Sequence, residues 1–262
     1  MNITRSILLA KRYLLARFFK IEDIIDFIFW PLLDIIIWGG VGLALAKSGQ
    51  PAQQVTVSIV SVVMLRVYLY SFFNNAANFL YEMMARNIIN LFSTPLSFNE
   101  WLLSGILSGF ATSLALVVFA TGVSKLFFNI YLLSAGPGLA VFVLPLLISG
   151  WAMAHLTIVL LMLFGVHAQR LVFVMGWLLI PFSGVYYSLE IMPSWIQIVS
   201  RAVPMSYIFS ALRIFILNDR FSWNDLAYGY GLALFYFIIT TFACNRMFER
   251  SRQLGLASLE RS

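Results

Sequence analysis

Apolar residues run nearly unbroken through most of this chain, in stretches that neither alternate nor keep a clean helical stripe. Six of these runs approach the ~20 residues that carry a helix across a bilayer core: residues 27–46, 55–73, 101–123, 138–165, 171–189 and 226–244. Continuous hydrophobicity predicts membrane helices rather than the alternating strands of a barrel. The first 20 residues follow a different pattern. At 100° per residue Ile3, Ile7, Leu14, Leu15 and Phe18 share one side, while Arg5, Arg12, Arg17 and Lys20 lie around the other. That predicts an amphipathic helix over residues 1–26 lying at the membrane surface, with Lys11 snorkelling out of the apolar stripe. The basic residues interrupt any secretory leader core.

Two connections break the apolar pattern. In residues 74–100, Asn74, Asn75 and Asn78 close the second run, and a helix is expected from Phe79 to Phe92 before Ser93, Thr94 and Pro95 stop it. Met83, Met84, Ile88 and Phe92 give that helix a soft apolar surface beside Glu82 and Arg86, suited either to a groove on a cytoplasmic partner or to the chain's own spans. In the second, residues 190–225, the stretch 195–217 is apolar enough to resemble a further crossing, yet contains Arg201, Pro204 and Arg213, with Pro193 just before it.

Composition and charge decide between these options. Sixty-one per cent of the 262 residues are hydrophobic and eleven per cent charged, which marks an all-α integral membrane protein forming one domain over residues 1–262. Eleven Lys and Arg fall on the side holding both termini and five on the other. The positive-inside tendency then places both ends in the cytoplasm and requires an even number of crossings. Residues 190–225 are therefore read as a re-entrant outer segment broken near the two prolines. A long outer loop with an interfacial helix is the alternative. The excess positive charge follows from this asymmetry, so no nucleic-acid partner is inferred.

Enzymatic chemistry finds no support. There is no GxxxxGK[ST] phosphate loop, no HExxH or cysteine pair, and no G-x-S-x-G elbow. No catalytic residue, metal or resident cofactor is assigned. His155 reads as an interhelix hydrogen-bonding residue. Asp34 and Arg66 lie inside the first and second runs, each ~10 Å from the predicted inner boundary, and suit either a structural ion pair or a transport path. Tyr68 and Tyr70 crowd the second run. Gly184, Tyr186, Tyr187, Glu190, Pro193 and Trp195 crowd the broken outer segment, as interfacial anchors or as a surface on which sugar rings or lipid chains slide.

Two stretches resemble the permease subunits of type-2 ATP-binding-cassette exporters, the group that includes nodulation-factor, drug and polysaccharide export permeases. "SGVYYSLEIMPSWIQIVSRAVPMSYIFSALR", residues 183–213, is similar to that family's outer segment, and "ARNIINLFSTPLSFNEWLLS", residues 85–104, to its inner Thr-Pro-Leu segment. Ser188 and Val203 depart from the pattern, where proline and asparagine are usual. The resemblance implies a multi-pass subunit of a prokaryotic inner membrane, paired with a second permease copy. It also implies a separate cytoplasmic ATPase subunit that binds ATP and Mg. The inner helix near residues 81–93, with Glu82, Met83, Met84, Arg86, Ile88 and Phe92, would couple to that ATPase, and the outer segment would shape the exit. Amphiphiles such as lipids, lipid-linked glycans or hydrophobic drugs are the implied substrates. A gradient-driven transporter or a membrane scaffold is the competing reading.

Overall fold

The computed structural model describes residues 2–19, 21–132 and 138–253. Among them are ten α-helices and no strand: α1 (Ile3–Phe18), α2 (Ile21–Lys47), α3 (Gln54–Met84), α4 (Ile88–Ser93), α5 (Phe98–Phe128), α6 (Ala140–Phe164), α7 (Arg170–Leu178), α8 (Ser194–Ser200), α9 (Pro204–Asn218) and α10 (Trp223–Gln253). Five of these, α2, α3, α5, α6 and α10, are long and apolar enough to cross a bilayer. The chain is an all-α integral membrane protein.

The core is built on α3 and α6. Four-fifths of the apolar window of α3 (83%) is buried inside the chain, against 22% for α2 and 17% for α10, so the last two present most of their surface to lipid or to another protein. Small residues allow the central helices to close on one another. The Cβ positions of Gly105 and Gly109 on α5 are occupied by Asn75 and approached by Ser71 of α3, and that of Gly150 on α6 by Ser71 and the Tyr68 carbonyl.

This packing explains one departure from the sequence pattern. Asn74, Asn75 and Asn78 do not end the second span. They sit mid-helix in α3, which runs 31 residues to Met84, ~46 Å of helix against a hydrocarbon core of ~30 Å. Asn74 satisfies itself by donating Nδ2 to the Tyr70 carbonyl at 2.7 Å. The helix expected over 79–92 is consequently split. Its first residues are the last turns of α3, the chain turns at Ala85–Asn87 with Arg86 in the left-handed region (φ 52°), and only the six residues of α4 remain. Ser97 and Glu100 then form a reciprocal capping box that starts α5.

The fifth run also ends earlier than expected. A helical piece spans residues 166–182, with α7 flanked by 3₁₀ turns at Val166–Gln169 and Ile180–Phe182. Pro181 lacks the N–H that would continue the α ladder onto Trp177, and Gly184 follows at φ 68°. The chain therefore leaves the helix at Phe182 instead of 189. Beyond it, α8 and α9 meet at a 99° bend. Pro193 precedes α8 and Pro204 opens α9, while Ser206 Oγ stitches the corner to the Ser200 and Val203 carbonyls at 2.7 and 2.8 Å. α9 then packs on α10, α6 and α3.

Candidate functional site

At the end of the bundle that holds α1 and α4, Glu82 joins four segments. It is 5% exposed, on the last turn of α3. Its Oε1 accepts from the Tyr13 hydroxyl of α1 at 2.8 Å and lies 3.3 Å from the Arg12 guanidinium. Oε2 accepts from Asn87 Nδ2 in the elbow before α4, at 2.5 Å. Tyr13 in turn accepts from Trp101 Nε1 of α5 at 2.8 Å. Burial, then the Glu82 carboxylate, pushes the Tyr13 phenol up from its ordinary value, so it remains a donor. A second carboxylate, Glu100 of α5, receives the Asn2 backbone N–H and sits 3.9 Å from Arg5, which also donates to the Pro95 carbonyl.

These pairs seat α1 on the bundle by its small side and keep the apolar stripe outward, as its amphipathic pattern suggested. Ser6, Leu9 and Ala10 are buried against the bundle, while Ile3, Ile7, Leu8 and Leu15 face outward. Lys20 and the side chain of Phe18 lie outside the described residues. The acidic residues of α3 and α5 hold Arg5 and Arg12 beside the protein, leaving the larger apolar residues for the membrane. A cleft of about 410 Å³ opens between α1 and the α4 region, lined by Arg5, Leu8, Leu9, Arg12, Leu91, Thr94, Pro95 and Leu96.

The inner residues singled out from sequence divide into two sets. Glu82, Met83 and Ile88 are buried, and Met83 and Ile88 belong to the inner core cluster. Phe92 is half-buried and packs its ring against Phe98 and Phe248. Met84 and Arg86 are exposed. The hydrophobic pattern did not point to Tyr13 or Arg12 as partners of Glu82, to Trp101 as the donor to Tyr13, or to Arg5 as the partner of Glu100. One readable signal was the Ser97-x-x-Glu100 capping box.

Within the membrane, Asp34 and Arg66 do come together, with Arg66 Nε donating to Asp34 Oδ2 at 2.5 Å. Asp34 is thirteen residues from each end of α2, ~20 Å from either. α2 begins at Ile21, six residues before the first apolar run, and carries Asp34 at its midpoint. The guanidinium lies 5.5 Å from the Trp30 ring centre and 5.9 Å from that of Trp177. Tyr70 is half-buried nearby and packs on Phe27 at 5.7 Å. Tyr68 lies apart from them, wholly buried in the core.

In the segment between α7 and α8, Tyr186 stacks on Trp38 of α2, ring centres 4.3 Å apart. Gly184 offers its carbonyl to Arg213 Nη2 at 3.0 Å, and Tyr187 donates to the Pro181 carbonyl at 2.7 Å. Gln197 Nε2 reaches the Glu190 carbonyl at 3.3 Å. Glu190 and Pro193 are exposed, as is Trp195, whose ring meets Phe182 edge-on. Elsewhere, His155 Nδ1 is 2.9 Å from Thr241 Oγ1, a link between α6 and α10.

Compared with known families, residues 8–217 match the family model described as "ABC-2 type transporter", a stretch from α1 to α9. No curated protein matches the chain.

Proposed function

Because the chain belongs to the ABC-2 type transporter family, we propose that it is the membrane half of an ATP-driven exporter. In this reading it pairs with a second permease copy in a prokaryotic inner membrane, both termini cytoplasmic, and is driven by a separate ATPase subunit that binds ATP and Mg. The substrate is an amphiphile that passes along the seam between copies, and the α8–α9 hairpin shapes its outer exit as a re-entrant segment. The bare flanks of α2 and α10 support a path formed with a partner rather than inside one chain.

The observation that carries the reading is the Glu82 junction beside the open inner cleft. A partner seated against Arg5, Leu91, Thr94 and Pro95 displaces α4 and α1 together, because Asn87, Tyr13 and Arg12 all bind one carboxylate. Tyr13 passes the movement to Trp101 and α5. The ATPase shifts the permease only if its nucleotide-bound and nucleotide-free forms fit the cleft differently. Met84 and Arg86 provide the exposed elbow that touches it.

The test is reconstitution of this chain with and without an ABC ATPase subunit that co-purifies with it. Replacing both Arg5 and Arg12 with Glu should abolish permease-dependent stimulation of ATP hydrolysis. Glu82→Ala should leave the complex assembled but lower transport per ATP, with a stability loss of ~1–3 kcal/mol from the orphaned donors. Transport that persists without any ATPase and collapses with an uncoupler would instead establish a gradient-driven carrier.

A further inference from the structure

Phe248 sits where three helices meet. It lies near the end of α10, is 3% exposed, and sets its ring against Phe92 of α4 and Phe98 of α5, with centres 4.6 and 4.1 Å away. The Phe98 ring is tilted only 4° from it and stacks in turn on Trp101, the donor to Tyr13. α10 is thereby fastened to the six-residue α4 and, through Trp101, to the Glu82 junction. Twelve residues earlier on the same helix, the Tyr236 hydroxyl donates to the Ala202 carbonyl at 2.9 Å. Ala202 lies in the 99° bend between α8 and α9.

What lies between the two contacts decides whether movement passes from one to the other. Residues 236–248 contain neither glycine nor proline, the usual sites at which a helix kinks, and form ~18 Å of unbroken helix. Within that stretch Thr241 Oγ1 lies 2.9 Å from His155 Nδ1 of α6, which holds α10 at a point between its two contacts. α3 runs the length of the bundle as well, but 83% of its apolar window is buried against 17% for α10. Displacing α3 means repacking neighbours on every side. α10 is seated by one stripe and moves at smaller cost. Helices shift by ~1–2 Å in switching proteins, and a 2.9 Å hydrogen bond does not survive a shift of that size unless its acceptor follows.

We propose that α10 is a rod that carries displacement of α4 to the α8–α9 bend, with Phe248 and Tyr236 as the positioning residues at its two ends. The inference rests on the exporter reading and adds to it a route from the cleft beside α4 to the α8–α9 hairpin. The Glu82 carboxylate ties α1, α4 and α5 to one another; the Phe248 ring adds the helix that reaches the bend.

The test is hydrogen–deuterium exchange of the permease–ATPase complex in phosphatidylcholine nanodiscs, nucleotide-free and trapped with ATP, Mg and vanadate. In the unaltered complex, peptides covering α4 and the α8–α9 bend should both change their exchange on trapping. Phe248→Ala should keep the change at α4 and lower that at the bend about fivefold or more. Tyr236→Phe removes one hydroxyl and no packing, should do the same, and decides alone if Phe248→Ala fails to assemble. The double variant should lower the change no further than either single one, since both act on one element. A purely structural role would raise exchange equally in the two states and leave the nucleotide-dependent difference in place. A difference at the bend that is undiminished in both single variants overturns the proposal. No nucleotide-dependent difference anywhere in the unaltered permease is a failure of the exporter reading, whereas a difference at α4 alone removes the rod and leaves that reading standing.

Discussion

At the scale of single residues, close packing of α3, α5 and α6 sets the tolerance to substitution. A methyl group added at Gly150 would fall 1.7 Å from Ser71 Oγ and 2.6 Å from the Tyr68 carbonyl, and backbone cannot step aside as a side chain can. Gly150→Ala should therefore cost ~1–3 kcal/mol by overpacking, whereas Gly122→Ala, with nothing within 4 Å, should be neutral or slightly stabilising. Thermal melting of the two variants in detergent checks the contrast. The pairing of Asp34 with Arg66 was legible as a possibility, since two lone charges in neighbouring spans need each other. The start of the helix that carries Asp34 was not, because the acidic residues Glu22, Asp23 and Asp26 made residues 21–26 look like a surface segment. The role of Glu82 was legible only as a charge on an inner helix. Its partners Tyr13 and Arg12 lie 69 and 70 positions away along the chain, and no periodicity joins them.

At the scale of elements, the helix between α3 and α5 is shorter and more sharply turned than its sequence suggested. Three asparagines looked like a helix end because isolated Asn disfavours helix interiors; tertiary packing against Gly105 overrides that preference. Arg86 carries the turn in a conformation that disfavours side-chain-bearing residues by ~1–2 kcal/mol. Arg86→Gly should leave the melting temperature nearly unchanged, as relief of strain offsets added freedom in the unfolded chain. Arg86→Val should lower it, because a β-branched residue fits the left-handed region poorly. If both variants uncouple transport from hydrolysis equally, the guanidinium is what matters; if only the valine variant does, the elbow geometry is. The breaks at Pro193 and Pro204 were readable in advance, since proline removes the donor and sets the backbone. The early stop of the fifth run at Pro181 was masked by the apolar residues that follow it.

At the scale of the whole molecule, the helical class and the membrane location were legible from composition alone, whereas the allocation of faces was not. Hydrophobicity does not distinguish a helix buried in protein from one bathed in lipid, and α3 and α10 are both apolar although 83% of one window and 17% of the other is buried. The stop at Phe182 has a physical consequence for the environment the protein needs. Residues 166–182, seven of them in 3₁₀ turns, reach ~29 Å when laid straight, which leaves no length to spare over the ~30 Å of an average hydrocarbon core, while α3 is far longer. That side of the bundle cannot follow a thicker bilayer as α3 can, and mismatch is relieved by local thinning at a fraction of a kcal/mol per Å. Turnover measured in phosphatidylcholines of graded acyl length should fall once the core thickens beyond ~30 Å, making lipid chain length a regulator of this protein.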